Sequence, residues 1–425
     1  MIRAETVVRG IGQLATLAGP PGPRRGAAAR DLGIVEEAAL AVDAGRVVWT
    51  GPDRLLDRFV RRRPGGRWFD AAGSVVVPGF VDAHTHAVFF GDRSDEVERK
   101  LSGASYGEIA RSGGGLYATV RATRHASDAE LERAAAARLG RMARHGTTAV
   151  EVKSGYALSH AGELRLLRVI GRLGRRRRGP RVVATYLGAH AVPDERRSDR
   201  RRYVDEIVRR TVPAVARERL ARFVDVFCEP GFFSPRESRA ILTAARQSGL
   251  DGKIHADEFV RSGGAALAAR LRLRSADHLL AATARDREQL ARAGVTAVIL
   301  PVTPFASLAS RRSPGRELVD AGVAVALGTD CSPNSYVESM PIALNHAVYS
   351  AHLTPAEALT AATVNAAWAV GLEGVAGRLT PGRPADFALF PVRRVREIPY
   401  RIGVEPAAVF REGKPLFSGA VRPYF

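Results

Sequence analysis

The chain has 425 residues, of which 46% are hydrophobic and 25% are charged, and its net charge is +20. This composition excludes disordered and collagen-like proteins. The length suits two or three domains, or a barrel of about 250 residues with a smaller companion domain. Only four of the 64 basic residues are lysine. The arginines form runs at 61–63, 175–178 and 200–202, which we expect in loops or at helix ends. Because no aromatic residues interleave with them, we interpret the charge as solvated surface and expect no nucleic-acid partner.

Several other properties bear on the cellular setting. No apolar run approaches the ~20 residues of a membrane-spanning helix, so no membrane partner is expected. The first residues, MIRAETVVRG, have no apolar stretch typical of a secretory signal. The two cysteines, Cys228 and Cys331, lie far apart and suit a reducing compartment, which predicts a cytoplasmic protein. From base rates we expect a homodimer.

Short apolar runs alternate with helical segments through most of the chain. The predicted strands are residues 75–83, 147–152, 182–187, 223–228, 252–255, 276–279, 296–300 and 323–327. Helices are predicted between most of them, such as 128–145 and 234–248, each opened by a good N-cap residue. Eight strand-and-crossover units predict an α/β fold, a parallel (β/α)8 barrel of the TIM type. A doubly wound sheet is the alternative, but eight units over about 300 residues favour closure.

The two ends of the chain have a different pattern. Residues 39–48, 384–390 and 407–424 are short β-type runs with turn signals. We therefore predict a small β-sandwich domain formed by residues 1–78 and 377–425. The barrel, residues 79–376, is then inserted between the two parts, with junctions at Pro78-Gly79 and 377–382.

Half of the ten histidines fall at the carboxyl ends of predicted strands, where barrel enzymes hold their active sites. These five are His84, His86, His190, His255 and His278. The remaining five fall in predicted helices or loops and are interpreted as surface or core-edge residues: His125, His145, His160, His346 and His352.

Four of the strand-end residues have the character of a metal site. His84 and His86 are two residues apart, so in an extended strand both rings point to the same side. His255 supplies a third imidazole, and Asp330 supplies a carboxylate after the eighth strand. Three nitrogens and one oxygen, with room for a water, suit one Zn²⁺ or Fe³⁺ ion in a catalytic site. Two stacked core histidines are the structural alternative for the His84–His86 pair.

Longer motifs resemble a known family. Residues 78–86 (PGFVDAHTH) are similar to the first-strand signature of the amidohydrolase superfamily, and 382–387 (GRPADF) to its return into the β domain. Finer motifs resemble the imidazolonepropionase family, which opens an imidazolone ring in histidine degradation. They are the glycines 113–115, EVKSGY (151–156), GAHAVP (188–193) and KIHADE (253–258), and the resemblance spans roughly residues 73–390.

This resemblance implies hydrolysis of 4-imidazolone-5-propanoate to N-formimino-L-glutamate by a metal-activated water. It implies that His84, His86, His255 and Asp330 bind the metal. It also implies that Asp330 takes the proton of the water, that His278 polarises the ring carbonyl and that Glu258 protonates the departing nitrogen. It further implies a single metal, against an alternative in which a carbamylated Lys153 bridges two.

The same resemblance implies a set of substrate contacts. Arg93 matches the carboxylate-binding arginine of the family, and Tyr156 and His190 match further contacts. The run after Asp330 departs from the family pattern, because Cys331-Ser332-Pro333-Asn334-Ser335 stands where many members have Asn-Pro-Gly-Ser or a similar sequence. We still expect hydrogen bonds to substrate from Ser332, Asn334 and Ser335. Ala157 likewise stands where the family often has glycine.

Two other functions remain to be compared. An aminohydrolase acting on a nucleobase-like ring would share the metal ligands, His278 and the spacing from His255 to Glu258. Arg93, the glycines 113–115 and the Tyr156 segment favour a substrate with a carboxylate, which a nucleobase lacks. A non-enzymatic scaffold or nucleic-acid binder would use the positive charge, but the four ligand positions count against it.

Overall fold

The computed structural model describes residues 1–104, 108–109 and 112–419. In chain order the strands are β1 (Ile2–Ala15), β2 (Ile34–Asp43), β3 (Arg46–Pro52), β4 (Val60–Asp70), β5 (Val75–Pro78), β6 (Phe80–Asp82), β7 (Thr147–Lys153), β8 (Arg181–Ala189), β9 (Phe223–Cys228), β10 (Asp251–Ala256), β11 (Ser275–His278), β12 (Thr296–Ile299), β13 (Val325–Leu327), β14 (Phe387–Phe390), β15 (Ala408–Arg411) and β16 (Lys414–Ser418). The end of the predicted run 407–424, from residue 420 onward, lies outside the described residues.

Helices connect most of these strands. The α-helices are Leu56–Phe59, Glu96–Leu101, Gly115–His125, Asp128–Arg144, His160–Gly174, Arg200–Glu206, Val212–Arg217, Pro235–Gln247, Gly264–Leu271, Ala284–Ala293, Thr303–Ala306, Gly315–Asp320, Met340–Tyr349, Pro355–Thr360, Ala366–Ala369 and Glu397–Tyr400. The helices predicted at 128–145 and 234–248 are confirmed to within a residue at each end. Each begins with a capping box, in which Ser127 pairs with Glu130 and Ser234 pairs with Glu237.

The central strands form the predicted barrel. Strands β6 to β13 are parallel neighbours in chain order. The two outer strands meet, because the backbone N–H of Ala83 donates to the carbonyl of Leu327 at 3.1 Å and Thr85 forms a parallel bridge with Cys331. The (β/α)8 prediction is therefore confirmed, and a doubly wound open sheet is excluded.

Both ends of the chain contribute to a second sheet. Its strand order is β16-β15-β14-β5-β1-β2-β3, and β4 pairs with the first half of β1. The antiparallel pair of β5 with β14 joins the N-terminal and C-terminal parts. The sequence did not predict β1 or β4. In β1, charged residues and two glycines interrupt the alternation, and the pairing shifts register between Val8 and Ile11. The prediction that arginines 61–63 lie in a loop is wrong, because they lie on β4, where their side chains are exposed at the sheet edge.

The chain passes from this sheet into the barrel at Gly79. The predicted strand 75–83 is divided here into β5 and β6. The N–H of Gly79 donates to the carbonyl of Asp386 in the small domain, and the next N–H, of Phe80, donates to Gly146 in the barrel. A Cβ atom at Gly79 would lie 2.2 Å from the Oγ1 atom of Thr148, so the close approach requires glycine.

Two further features complete the fold. Among the described residues we find no helix that combines the length and apolar character needed to cross a membrane. Cys228 and Cys331 are both buried and form no disulfide.

Candidate active site

The four predicted metal ligands come together just beyond the strand ends. The Nε2 atom of His86 lies 3.3 Å from that of His84 and 3.4 Å from that of His255. The Oδ1 atom of Asp330 lies 3.8 Å from His84 Nε2 and 3.6 Å from His86 Nε2. Ligand atoms placed 2.0–2.1 Å from a tetrahedral zinc ion are about 3.3 Å apart. The donor set and its spacing therefore fit one metal ion.

The ends of β6 and β13 hold two of these ligands by backbone contacts. The N–H of Asp330 donates to the carbonyl of His84 at 3.0 Å. A Cβ atom at Gly328 would lie 2.7 Å from the Cβ atom of His84, so glycine permits this approach. Asp330 has a φ of +52°, an uncommon conformation for a residue with a side chain. Thr303 donates to its Oδ2 atom at 2.9 Å, which leaves Oδ1 facing the histidines.

Two buried aspartates orient the metal-facing histidines. The Oδ2 atom of Asp277 lies 2.6 Å from His84 Nδ1, and that of Asp225 lies 3.0 Å from His255 Nδ1. A carboxylate on the far nitrogen directs the other nitrogen of the ring to the metal and raises its basicity. The sequence analysis missed both residues. Their signal is an aspartate inside an otherwise apolar strand, as in FVDVFC at 223–228.

A buried charge network lies behind these aspartates; its members are Glu151, Lys153, Asp225, Lys253 and Asp277. The Nζ atom of Lys153 lies 2.7 Å from Asp225 and 2.8 Å from Glu151. Lys253 lies 2.8 Å from the other oxygen of Glu151. Burial disfavours the ammonium form of Lys153, but Asp225, Glu151 and Asp277 raise its pKa above the usual value. Carbamylation requires the neutral amine, so this pairing opposes a metal-bridging role for Lys153.

His278 and Glu258 lie beside the metal ligands. The donor atoms of His278, His84 and His255 all fall within 4.8 Å of one another. The Nδ1 atom of His278 lies 3.7 Å from the Oε1 atom of Glu258. Burial lowers the pKa of His278 well below its usual value. Burial, with repulsion from Asp330 and Glu229, raises the pKa of Glu258 well above the usual range. Burial thus favours the neutral form of both groups.

A cavity of about 480 Å³ opens above the ligands. It is lined by most of the predicted substrate contacts, namely Arg93, Tyr156, His190, Glu258, Ser332 and Asn334. Ser335 does not line it among the residues that the structure describes. It is buried in the turn behind the wall, where its N–H donates to the Oγ atom of Ser332 at 3.1 Å and its carbonyl accepts from Ser332 N–H.

Arg93 reaches the cavity with its guanidinium group held by Glu96. Its Nε and Nη2 atoms donate to the Oε2 atom of Glu96 at 2.8 and 2.6 Å. The other oxygen of Glu96 accepts from the N–H of Gly115 at 2.6 Å. A Cβ atom at Gly114 would lie 3.0 Å from that oxygen, so the glycine run permits the close contact. The sequence analysis did not identify Glu96, and the glycines are the feature that leads to it.

Tyr156 and His190 form the opposite part of the cavity. The rings of His86 and His190 stack at 5.0 Å, and Tyr156 meets His190 edge to face at 5.3 Å. His190 Nδ1 lies 3.1 Å from the carbonyl of Gly155. Burial lowers the pKa of His190 to about 3, so its ring is neutral at physiological pH.

The loop carrying Tyr156 is held by one buried carboxylate, that of Glu163. It accepts hydrogen bonds from the N–H groups of Gly155, Ala157 and Leu158 at 2.8–2.9 Å. The sequence analysis missed Glu163, which stands in the first turn of the helix His160–Gly174.

The cavity also contains a lysine that the sequence analysis did not identify. Lys100, on the helix Glu96–Leu101, lines the wall together with Arg93. Its Nζ atom donates to the Oδ1 atom of Asn334 at 2.9 Å, and Asn334 in turn donates to Ser307 at 3.1 Å. Lys100 is one of only four lysines among 64 basic residues, and this rarity is the feature of the sequence that could have indicated it.

Comparison with known proteins identifies the family to which the chain belongs. The profile of the Amidohydrolase family matches residues 75–416. A protein named imidazolonepropionase from Symbiobacterium thermophilum is 47% identical over 422 residues, which cover 98% of this chain and 99% of that protein. Another of that name, from Solibacter usitatus, is 45% identical over 409 residues and covers 95% and 97% of the two chains.

Solved structures share the fold at low sequence identity. An adenosine deaminase from Xanthomonas campestris with bound zinc has a TM-score of 0.69 at 18% identity, covering 97% of this chain and 93% of that chain. The atrazine chlorohydrolase TrzN from Arthrobacter aurescens TC1, complexed with zinc, has a TM-score of 0.66 at 18% identity, covering 99% of this chain and 96% of that chain. At such identity these structures establish the fold alone. The full-length match to the relatives goes further: the chain belongs to the amidohydrolase family and, within it, groups with the imidazolonepropionases.

Proposed function

We propose that this protein opens the ring of 4-imidazolone-5-propanoate by hydrolysis to give N-formimino-L-glutamate. One Zn²⁺ or Fe³⁺ ion per chain is held by His84, His86, His255 and Asp330. The observation that carries the proposal is the convergence of these four donors, with His86 Nε2 lying 3.3–3.6 Å from a donor atom of each of the other three, at the cavity whose wall presents Arg93. A cyclic amide and a carboxylate tail are the two groups that such a cavity accommodates.

The reaction breaks the bond between the ring carbonyl carbon and its nitrogen. A metal held by these residues would lower the pKa of a bound water to about 7 and so supply the nucleophile at neutral pH. Asp330, whose Oδ2 atom is held by Thr303, accepts the proton of that water through Oδ1. The buried neutral ring of His278 donates a hydrogen bond to the carbonyl oxygen and stabilises the charge that develops there.

The departing nitrogen requires a proton, and Glu258 supplies it. This residue lines the cavity beside His278, and its burial favours the protonated carboxyl group. The transfer leaves Glu258 as a carboxylate, which regains a proton before the next turnover. We assign the roles of Asp330, His278 and Glu258 in this order because of their positions around the four donors.

The propanoate arm extends away from the metal ligands toward Arg93. A guanidinium group binds a carboxylate through two charge-assisted hydrogen bonds, and Glu96 fixes its orientation. Tyr156, His190, Ser332 and Asn334 contact the substrate from the remaining wall, and Ser335 supports Ser332 from behind. A nucleobase-like substrate has no group for Arg93, so we favour the imidazolone over a deaminase substrate.

We further assign residues 79–376 to the catalytic barrel and residues 1–78 and 377–425 to the small domain. The two free buried cysteines support a cytoplasmic location, and the working form is a homodimer.

The test is a product assay with metal-loaded protein. Incubation with 4-imidazolone-5-propanoate is expected to give N-formimino-L-glutamate, identified by mass spectrometry, and a chelator is expected to abolish the product. His255→Ala is expected to lose most of its metal by elemental analysis and its activity. Full metal content and activity in this variant would contradict the ligand assignment. Release of ammonia from nucleobases, with no product from the imidazolone, would contradict the substrate.

A further inference from the structure

Among the described residues that line the cavity, two carry a cationic side chain, and the proposed reaction uses only one of them. Arg93 and Lys100 both line the wall. They are seven residues apart, with Lys100 in the helix Glu96–Leu101, which begins three residues beyond Arg93. Arg93 is buried, and Lys100 is partly buried.

The charge of Arg93 is already balanced within the protein. Glu96 accepts two hydrogen bonds from its guanidinium group. Lys100, in contrast, donates to the neutral amide oxygen of Asn334 at 2.9 Å. Burial lowers the pKa of Lys100, the positive charge of Arg93 lowers it further, and Glu96 partly offsets both effects. Arg93, Glu96 and Lys100 therefore carry a net charge of +1, which a substrate carboxylate would neutralise.

Lys100 also connects three parts of the cavity mouth. Its own helix follows β6, whereas its partner Asn334 follows β13. Asn334 donates to Ser307, which follows the short helix Thr303–Ala306 after β12. The ammonium group is thus held over the cavity by an amide that can continue to accept from it when an anion is bound, because an ammonium group has three donors.

We propose that Lys100 is a second anchor for the substrate carboxylate and makes the site selective for substrates with a terminal carboxylate. Arg93 donates two hydrogen bonds to the substrate carboxylate and Lys100 donates a third to one of its oxygens, while Asn334 keeps the ammonium group in place. This inference rests on the proposed function for the identity of the substrate. The carboxylate site itself would bind any imidazole-like compound that carries a propanoate arm.

The test uses metal-loaded protein and two probes that differ only in charge. Imidazole-4-propanoate carries the carboxylate without the ring carbonyl, and imidazole-4-propanamide carries a neutral amide. Isothermal titration calorimetry gives the Kd of each. Lys100→Gln removes the charge and Lys100→Arg retains it. Lys414→Gln is the matched control, because Lys414 is exposed on β16 of the small sheet.

We expect Lys100→Gln to weaken propanoate binding about tenfold, the effect of losing one charged hydrogen bond. In the same variant, the Kd of the propanamide is expected to change less than twofold. The Kd of the propanoate is expected to stay within about threefold of the parent value in Lys100→Arg and to equal the parent value in Lys414→Gln. With the imidazolone substrate, KM is expected to rise and kcat to change little.

Unchanged propanoate binding in Lys100→Gln would overturn the proposal. An equal loss for propanoate and propanamide would also overturn it, since it would indicate a structural role. A parent protein that binds imidazole-4-propanoate but does not hydrolyse the imidazolone would contradict the proposed function, and the Kd comparison would still decide the role of Lys100.

Discussion

The Oδ2 atom of Asp277 lies 2.6 Å from the Nδ1 atom of His84, and neither side chain is exposed to solvent. The contact fixes the ring so that its other nitrogen points toward His86 and Asp330. Asp277 is itself held by Ser275, which donates to its second oxygen at 2.6 Å. The orientation of the His84 ring is therefore set by β11, which is separated from β6 by two strands of the barrel.

Replacing this carboxylate should weaken metal binding. In Asp277→Asn the ring of His84 loses its negatively charged partner, so we expect the Kd for Zn²⁺ to rise about 10–100-fold. Competition with a chromogenic chelator measures it. Asp286→Asn is the control, because Asp286 is equally buried but caps the helix Ala284–Ala293 and pairs with Arg261. Its metal affinity should equal that of the parent. Equal affinity in Asp277→Asn would show that Asp277 has no part in holding the metal.

Loss of Arg93 should affect substrate binding in a characteristic way. Arg93→Gln removes two charge-assisted hydrogen bonds but can still donate one neutral bond, so the net loss is that of about one charged bond, roughly 1.5–3 kcal/mol. It also leaves the Glu96 carboxylate in the wall without this partner. We expect kcat/KM to fall by about tenfold to a few hundredfold, mainly through KM.

The double variant Arg93→Gln with Glu96→Gln separates these two effects. It removes the unbalanced negative charge, so its thermal midpoint should exceed that of the single variant while its KM stays high. If Arg93→Gln keeps its metal and processes the imidazolone like the parent, Arg93 is not the carboxylate anchor.

The loop that carries Tyr156 should depend on Glu163. In Glu163→Gln the amide nitrogen replaces an acceptor that faces backbone N–H groups of this loop. Tyr156 then loses its fixed position, and we expect KM to rise about tenfold, since hydrogen bonds to a charged group are worth roughly 1.5–3 kcal/mol each. We expect kcat to change little. Glu132→Gln, on the outer helix Asp128–Arg144, is the control and should leave both constants unchanged. A loss of folded protein with no change in the KM of the remaining folded enzyme would show that Glu163 has only a structural role.

Acid stability should depend on Glu357, a buried carboxylate between the segment Gly26–Arg30 and the barrel. Burial opposes its ionisation, but hydrogen bonds from Arg316, Thr354 and Arg30 lower its pKa to about 2. Because an unfolded glutamate has a pKa of about 4.3, the folded form gains stability above that pH and loses it as the pH falls toward 2. The full contribution is roughly 3 kcal/mol at pH 7.

Urea unfolding of Glu357→Gln tests this dependence. The variant should be less stable than the parent at pH 7, and the difference should shrink steadily below about pH 4.3. Glu288→Gln, an exposed pair with Arg292, should change stability by less than about 0.5 kcal/mol at either pH. A difference that is independent of pH would contradict the role of the Glu357 charge.

The sequence predicts that the four proposed metal donors lie close together, because their positions follow from local rules. Period-two alternation brings His84 and His86 to one side, and parallel strands bring His255 and Asp330 to the same rim. The helices at 128–145 and 234–248 were predictable from N-caps for the same reason.

The missed residues depend on neighbours that are distant in sequence. The roles of Asp225 and Asp277 depend on contacts with histidines on other strands. The role of Glu96 depends on its contacts with Arg93 and with the glycines 113–115. The sequence predicts a single strand over residues 75–83, because hydrophobic alternation does not reveal that its two halves pair with different sheets. Strand β1 was missed because its charged residues and glycines hide its alternation.

Because of the buried charge network, substitutions inside the barrel strands and substitutions in the segments that follow them should have different effects on folding. Its five members form ion pairs in a solvent-free interior, and replacing either lysine alone leaves buried carboxylates without a cation, at a cost of about 3–5 kcal/mol. Arg93, Lys100 and Asn334 instead lie in the segments that follow β6 and β13, and none of the network's ion pairs among the described residues includes them. New substrate preferences can therefore be selected by varying these segments, whereas libraries that randomise the strand interior should yield mostly unfolded chains.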